Sequence, residues 1–261
     1  MPERPMPERP WLILTLRRTG GTSLTAFLAE ISPFPSIEHE PFNIDRTFGH
    51  VTRAFRDSGD AEALRAGIDA ALGDDPAQRP NIKHCFDVVP PALTAELIRA
   101  CAARGYAVLL YTRGDEARRL RSLFLALSTG AWGGVEARRI YPEIRAGRLQ
   151  PKPIDPVNVR RRVTEDRYRL ARVIRQLDQD GIAHSRRRFE DIYGPGKSAP
   201  DEARRLAAEL GTRVAPDARA LRWFDASQKQ GSEDIAGHVP GYPQAVALLD
   251  KLCHSGAKQD L

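Results

Sequence analysis

Residues 11–31 read WLILTLRRTGGTSLTAFLAEI. The run from Trp11 to Leu16 is short, apolar and rich in Leu and Ile, the composition of a buried strand. It breaks at Arg17-Arg18-Thr19-Gly20-Gly21-Thr22-Ser23, after which Leu24, Phe27, Leu28 and Ile31 recur at helical spacing. Strand, glycine-containing loop and helix N-terminus in that order aim unpaired backbone N–H groups, and the positive end of a helix dipole, at whatever lies above the turn. Gly20 and Gly21 allow close backbone approach to an oxygen-rich ligand, and Thr19, Thr22 and Ser23 add hydroxyls. Arg18 supplies a fixed positive charge beside Arg17. Two readings follow: a phosphate or sulfate cradle, or an ordinary βα turn capped by Thr and Ser. The loop is not a nucleotide-triphosphate loop of the GxxxxGK[ST] kind, because no Lys precedes its Thr or Ser.

The rest of the chain extends an α/β pattern. Residues 1–10 repeat MPERP twice and read as a tail that does not fold. The prolines of Ser32-Pro33-Phe34-Pro35-Ser36 preclude a continuing helix. In Glu38-His39-Glu40 three titratable groups follow shortly after the anion loop; this is a place for a general base, or merely an acidic loop. A helix is predicted over Ala61 to Leu72, and Asn81 to Val89 reads as a second buried strand, with Lys83 near its start as a solvated edge residue or a functional cation. Pro90-Pro91 opens a helix from Ala92 to Arg104 that Gly105 ends. Tyr106 to Tyr111 is the clearest buried strand. Arg113 follows its carboxyl end, where open α/β sheets bind ligands, and Ser122 lies in the next helix. Arg118, Arg119 and Arg121 read as a solvated basic face.

Residues 133–158 read as loop-rich, a lid or acceptor-binding segment. A helix striped by Leu170, Val173, Ile174 and Leu177 follows, then a short strand from His184 to Phe189 leading into Glu190-Asp191. A helix from Asp201 to Leu210 precedes a polar tail, in which Lys229-Gln230-Gly231-Ser232 reads as a second anion-contacting loop.

At 261 residues with 41% hydrophobic and 28% charged side chains, the composition is that of a soluble globular protein able to bury a sizeable core. The net charge of +6 suits an anionic ligand without demanding one. Cys85, Cys101 and Cys253 are odd in number and form no CxxC pair, which argues against a disulfide framework or structural zinc and fits a reducing, cytoplasmic compartment. No apolar run has the length of a membrane span, and no signal-peptide core is present. The Arg runs at 160–162 and 186–188 lack aromatic interleaving and any nucleic-acid module, so nucleic acid is not the expected partner.

Together, LTLRRTGGTSL, the segment TRGDEARRLRSLFLALSTGAW and the late RRFEDI resemble the PAPS-dependent sulfotransferases, most closely the bacterial carbohydrate branch that sulfates trehalose and Nod factors. The likeness covers about residues 11–45 and 106–195, its motifs in the family order, and includes Thr129-Gly130-x-Trp132. It implies one P-loop-like α/β domain over 11–261, a central parallel sheet flanked by helices, the sulfotransferase fold. It further implies PAPS as co-substrate, PAP as product and no metal. By position, Arg17, Arg18, Thr19, Gly20, Gly21, Thr22 and Ser23 would hold the 5′-phosphosulfate and Arg113 and Ser122 the 3′-phosphate; Lys229, read from its own loop and not by position in the family, is a further candidate donor contact. Glu40 falls where the branch has its catalytic carboxylate, Arg18 replaces the Lys with which animal cytosolic members stabilise the leaving oxygen, and Lys83 matches a strand Lys that orients acceptor or sulfate. The implied acceptor is a small molecule or glycan with a free hydroxyl. Oligomeric state stays open, a homodimer included. Gly21 departs from the family in replacing a hydroxyl residue, and the animal enzymes' Gly-rich C-terminal loop is not recognisable. The rivals are a kinase-like phosphotransferase, which lacks its Walker Lys and a magnesium-holding Asp, and a non-catalytic polyanion binder using the Arg runs.

Overall fold

The structure, a computed structural model, describes residues 8–37, 39–224 and 234–254. By internal contacts the chain divides into two compact units, residues 1–112 with 169–224 and residues 113–168 with 225–261.

The first unit is built on four parallel strands, β1 (Trp11–Thr15), β2 (Ile82–Cys85), β3 (Ala107–Thr112) and β4 (His184–Arg188), in the order β2-β1-β3-β4. Alternation along the strands explains the layering. Leu12 and Leu14 of β1 and Val108 and Leu110 of β3 share one core with the helices α2 (Gly49–Ser58), α3 (Ala61–Leu72) and α4 (Pro91–Ala103). Trp11 and Ile13, with Ala107, Leu109 and Tyr111, share another with α1 (Gly21–Ile31). A sheet covered on both faces needs strands that are apolar throughout, which is why β1 and β3 are legible as continuous apolar runs. The order reverses between β1 and β3, so the loop after β1 opens at a topological switch point, where such sheets bind ligands.

In the second unit, α5 (Glu116–Thr129), α6 (Gly134–Arg145), the first part of α7 (Pro156–Gln179) and α10 (Tyr242–His254) enclose a core of Leu120, Leu123, Phe124, Tyr141, Ile144, Val159, Val163 and Leu249. Two short helices complete the first unit: α8 (Phe189–Tyr193) and α9 (Ala199–Glu209). Among the described residues no helix is long and apolar enough to cross a membrane.

Several expectations are corrected. Residues 133–158 are not mostly loop: Ala137, Tyr141 and Ile144 bury one face of α6, which tolerates Pro142 inside it. The polar tail contains α10, whose Ala245 and Leu249 are buried. The second strand ends at Cys85, because the chain turns there to carry Asp87 toward the loop after β1. The basic face of α5 is solvated at Arg118, which is exposed, and not at the other two arginines. Arg119 is 2% exposed and donates to Asp166 at 2.6 Å, and Arg121 pairs with Asp250. The Arg runs are likewise engaged with acids, Arg161 with Glu165, Arg162 with Asp166, Arg186 with Asp178 and Arg187 with Glu209.

Candidate active site

The loop after β1 is braced from three directions. On one side Asp87 accepts from both the Arg17 backbone N–H (3.1 Å) and its Nε (2.7 Å). From within, Thr19 is 2% exposed and spends its hydroxyl proton on the Leu16 carbonyl at 2.6 Å. From the far side Phe189, the first residue of α8, lies over Gly20: a Cβ there would meet its ring at 2.5 Å. Phe189 in turn stacks on Tyr193 at 4.7 Å. The late FEDI motif therefore reaches the first loop through an aromatic ring.

Backbone conformation shapes the loop. Arg18 has φ 66° and Gly20 φ 85°, so two left-handed residues flank Thr19. Left-handed residues interspersed in a turn direct successive N–H groups into an anion-binding concavity. Gly20 caps α1 without a side-chain hydrogen bond, and the first turn holds no acid to compete with an incoming anion. Among the described residues neither the Thr22 nor the Ser23 hydroxyl has a hydrogen-bond partner. Of the hydroxyls assigned to the loop, these two keep their donors and Thr19 does not. Arg17 is anchored on Asp87, which gives it a bracing position in addition to its charge.

Both demands at Gly20, positive φ and space under the ring, bear on substitution. Gly20→Ala is expected to lower stability by about 2 kcal/mol through backbone strain. The expected fall in thermal midpoint is roughly 4–8 °C, and an unchanged melt would show that the ring yields without cost.

Glu40 and Lys83, 43 residues apart, meet: Nζ donates to Oε1 at 3.1 Å. The Lys83 stem lies beside α1, its Cε 3.7 Å from where a Cβ on Gly21 would stand. One cation thus spans from the anion loop to the carboxylate. Lys83 is 8% exposed, which excludes the solvated-edge reading. The loop that carries Glu40 is pinned at its start by Asn81, whose side chain donates to Ser32, Phe34 and Ser36 and accepts from the Trp11 N–H. Glu40 itself has φ 62°, so Arg18 and Glu40 are the two non-glycine residues with positive φ among those described. Strained backbone of this kind gathers at functional sites.

Electrostatics set the charge states. Burial pushes the Glu40 carboxyl up, but Lys83, with hydrogen bonds from Cys85 and Lys83, brings it net below its ordinary 4.5. Burial pushes Lys83 down, and Cys85, Glu40 and Asp87 more than offset this, leaving it above 10.5. The pair is a carboxylate and an ammonium at neutral pH. On the opposite face of β2, His84 contacts Thr94 at 3.0 Å, and burial lowers it to about 4, so it stays neutral.

Arg113 follows directly on β3, half-buried, as the first residue of the second unit, and Ser122 is half-buried in α5 of that unit. Lys229 lies outside the described residues, as does Glu38. The second unit also contains a cavity of about 290 Å³. Phe124, Leu127 and Ile154 line its apolar side, and Lys152, Asn158 and Arg161 contribute polar groups.

Cys85 and Asp87 went unrecognised in the sequence. Cys85 lies two positions after Lys83 on the same strand face and donates to Glu40 Oε1 at 3.2 Å. The i, i+2 relation to Lys83 was the available signal.

No family model matches the chain, and no curated protein matches it. Among solved structures, a sulfotransferase from Alicyclobacillus acidocaldarius is similar over 97% of this chain and 97% of its own, at 15% identity and a TM-score of 0.40. A similarity of that strength decides neither fold nor activity.

Proposed function

We propose that the chain is a PAPS-dependent sulfotransferase that moves a sulfuryl group to an acceptor hydroxyl, with both units parts of one sulfotransferase domain. The observation that carries this reading is the Glu40–Lys83 pair, with Lys83 packed beside the first turn of α1. An anion loop without a Walker Lys, joined through a buried strand cation to a carboxylate, suits transfer from an anionic donor to a hydroxyl.

The donor set fits a phosphosulfate. The open N-terminus of α1, the Thr22 and Ser23 hydroxyls and Arg18 would hold its anionic oxygens, and Arg113 and Ser122 a 3′-phosphate. Glu40 would take the acceptor's proton as the acceptor oxygen bonds to sulfur and the bridging S–O bond breaks. The electron pair of that bond leaves with the phosphate, where Arg18 and Lys83 would offset the developing charge. A sugar hydroxyl is the favoured acceptor class, on the resemblance of the first loop, the Arg113/Ser122 segment and the late FEDI to the carbohydrate branch.

Calorimetric titration with PAP tests the donor, with ATP and ADP as controls. Wild type is expected to bind PAP in preference to ATP. Arg18→Ala and Arg113→Ala are each expected to weaken PAP about 10- to 100-fold, the worth of a hydrogen bond to a charged group. Indifference to PAP would overturn the reading.

The charge states also predict a pH profile. Glu40 must be ionised to act as base, and its folded value lies below 4.5; activity is therefore retained above that value and lost as pH falls through the lowered one. Lys83 must stay protonated, so its loss belongs above pH 10.5. The kcat/KM profile with PAPS is expected to carry no limb from either group between those values, and a limb near neutrality that Glu40→Gln removes would contradict the assignment.

A further inference from the structure

We propose that Cys85 is a positioning residue: its thiol, with the Lys83 ammonium, engages Oε1 of Glu40 and so leaves Oε2 to receive the acceptor proton. The inference rests on the sulfotransferase reading and deepens it.

Both donors meet the same oxygen, Lys83 Nζ at 3.1 Å and Cys85 Sγ at 3.2 Å, and among the described residues no donor engages Oε2. The two donors differ in rigidity. Lys83 acts through a flexible stem, whereas a single rotatable bond, Cα–Cβ, sets the Cys85 sulfur on a strand whose Cys85 is in register with Thr15 of β1. Cys85 is 1% exposed. Glu40, by contrast, sits on a loop at positive φ, with no strand of its own to orient its carboxylate. During transfer Lys83 is also needed at the anionic group above α1. When the ammonium is shared, the thiol continues to hold Oε1, and the carboxylate keeps its orientation.

The surroundings keep the thiol a donor. Burial first, then the negative charges of Glu40 and Asp87, raise it well above its ordinary value, while Lys83 opposes them without prevailing. The ionisable groups facing Glu40 are thus Lys83 and Cys85 on β2 and Asp87 in the following turn, where Asp87 is held by Arg17; His84 lies on the other face of β2, neutral.

The test compares wild type with Cys85→Ala, Cys85→Val and Cys85→Ser. Ala removes the donor and leaves a small gap, Val removes it with a slightly larger apolar side chain so that no gap opens, and Ser retains it. Glu40 is followed by carbon NMR of a carboxyl-labelled protein, its signal assigned by its loss in Glu40→Gln. In the Ala and Val variants the Glu40 midpoint is expected to move up, because a hydrogen bond favouring the ionised form has gone. The acid limb of kcat/KM should move with it, and kcat should fall about fivefold, the rate equivalent of one modest hydrogen bond, at unchanged KM for PAPS. Cys85→Ser should restore both. Intact turnover with an unmoved midpoint, or a Ser variant as impaired as Ala and Val, overturns the role of the thiol alone. A moved midpoint in a protein that never turns over PAPS overturns the role because the sulfotransferase reading beneath it has failed.

Discussion

Glu40→Gln is expected to reduce kcat with PAPS by about 10²- to 10⁴-fold, the range for loss of a positioned general base. The substitution keeps the side chain's size and an oxygen that can accept from Lys83 Nζ and Cys85 Sγ. It removes the negative charge and the capacity to take a proton. Because the anion loop, Arg18 and the open end of α1 are untouched, PAP affinity should stay within a few-fold of wild type. The split between turnover and donor binding distinguishes a base from a residue that merely supports the loop. Normal turnover in Glu40→Gln would remove Glu40 from the chemistry. Equal loss of turnover and of PAP binding would mean that its contribution is to hold Lys83.

The second large effect concerns stability and lies in the second unit. Asp166 is 1% exposed; its Oδ2 accepts from Arg119 Nη2 at 2.6 Å, and Arg162 Nε stands 2.8 Å from Oδ1. Arg119 is itself 2% exposed. Desolvating these charges is costly, and one carboxylate offsets that cost for two guanidinium groups. Asp166→Ala removes it and leaves a buried positive charge behind, which is expected to cost about 3–5 kcal/mol. The triple variant Arg119→Met/Arg162→Met/Asp166→Leu should recover most of the loss, since apolar groups of similar volume remove the desolvation penalty together with all three charges. Urea unfolding and amide exchange in α5 and α7 measure both. A loss under 1 kcal/mol in Asp166→Ala would show that water reaches this ion pair and screens it.

The elements differ in how far they were legible, and burial explains the difference. β1 and β3 are buried on both faces and announce themselves as apolar runs, and α3 runs from Ala61 to Leu72 as its periodicity predicts. β4 is mostly half-buried or exposed, yet Gly181 before it and the FEDI segment after it bracket it. α6 was hidden by Pro142 and by Gly133 and Gly134 at its start, although Ala137, Tyr141 and Ile144 already carried helical spacing. The strand–loop–helix turn after β1 was readable because its signals are local: glycines, hydroxyls and an Arg between a strand and a helix lie within seven consecutive residues. Lys83, by contrast, looks like any strand lysine until Glu40 stands beside it.

By itself the sequence determined the α/β pattern of buried strands and helices, the loop after β1 and the set of residues from which a site could be drawn, because strand burial, glycine turns and helix starts are encoded by neighbours in the chain. Only the tertiary structure decided which of those residues act together. Parallel pairing of β2 with β1 sets Cys85 beside Thr15, and the loop pinned by Asn81 delivers Glu40 to Lys83 and Cys85. It also decided which charges are already engaged, Arg17 by Asp87 and Arg119 by Asp166. The physical reason is range. Propensity and periodicity act over a few residues, whereas a carboxylate's proton affinity depends on what packing brings within about 4–6 Å of it.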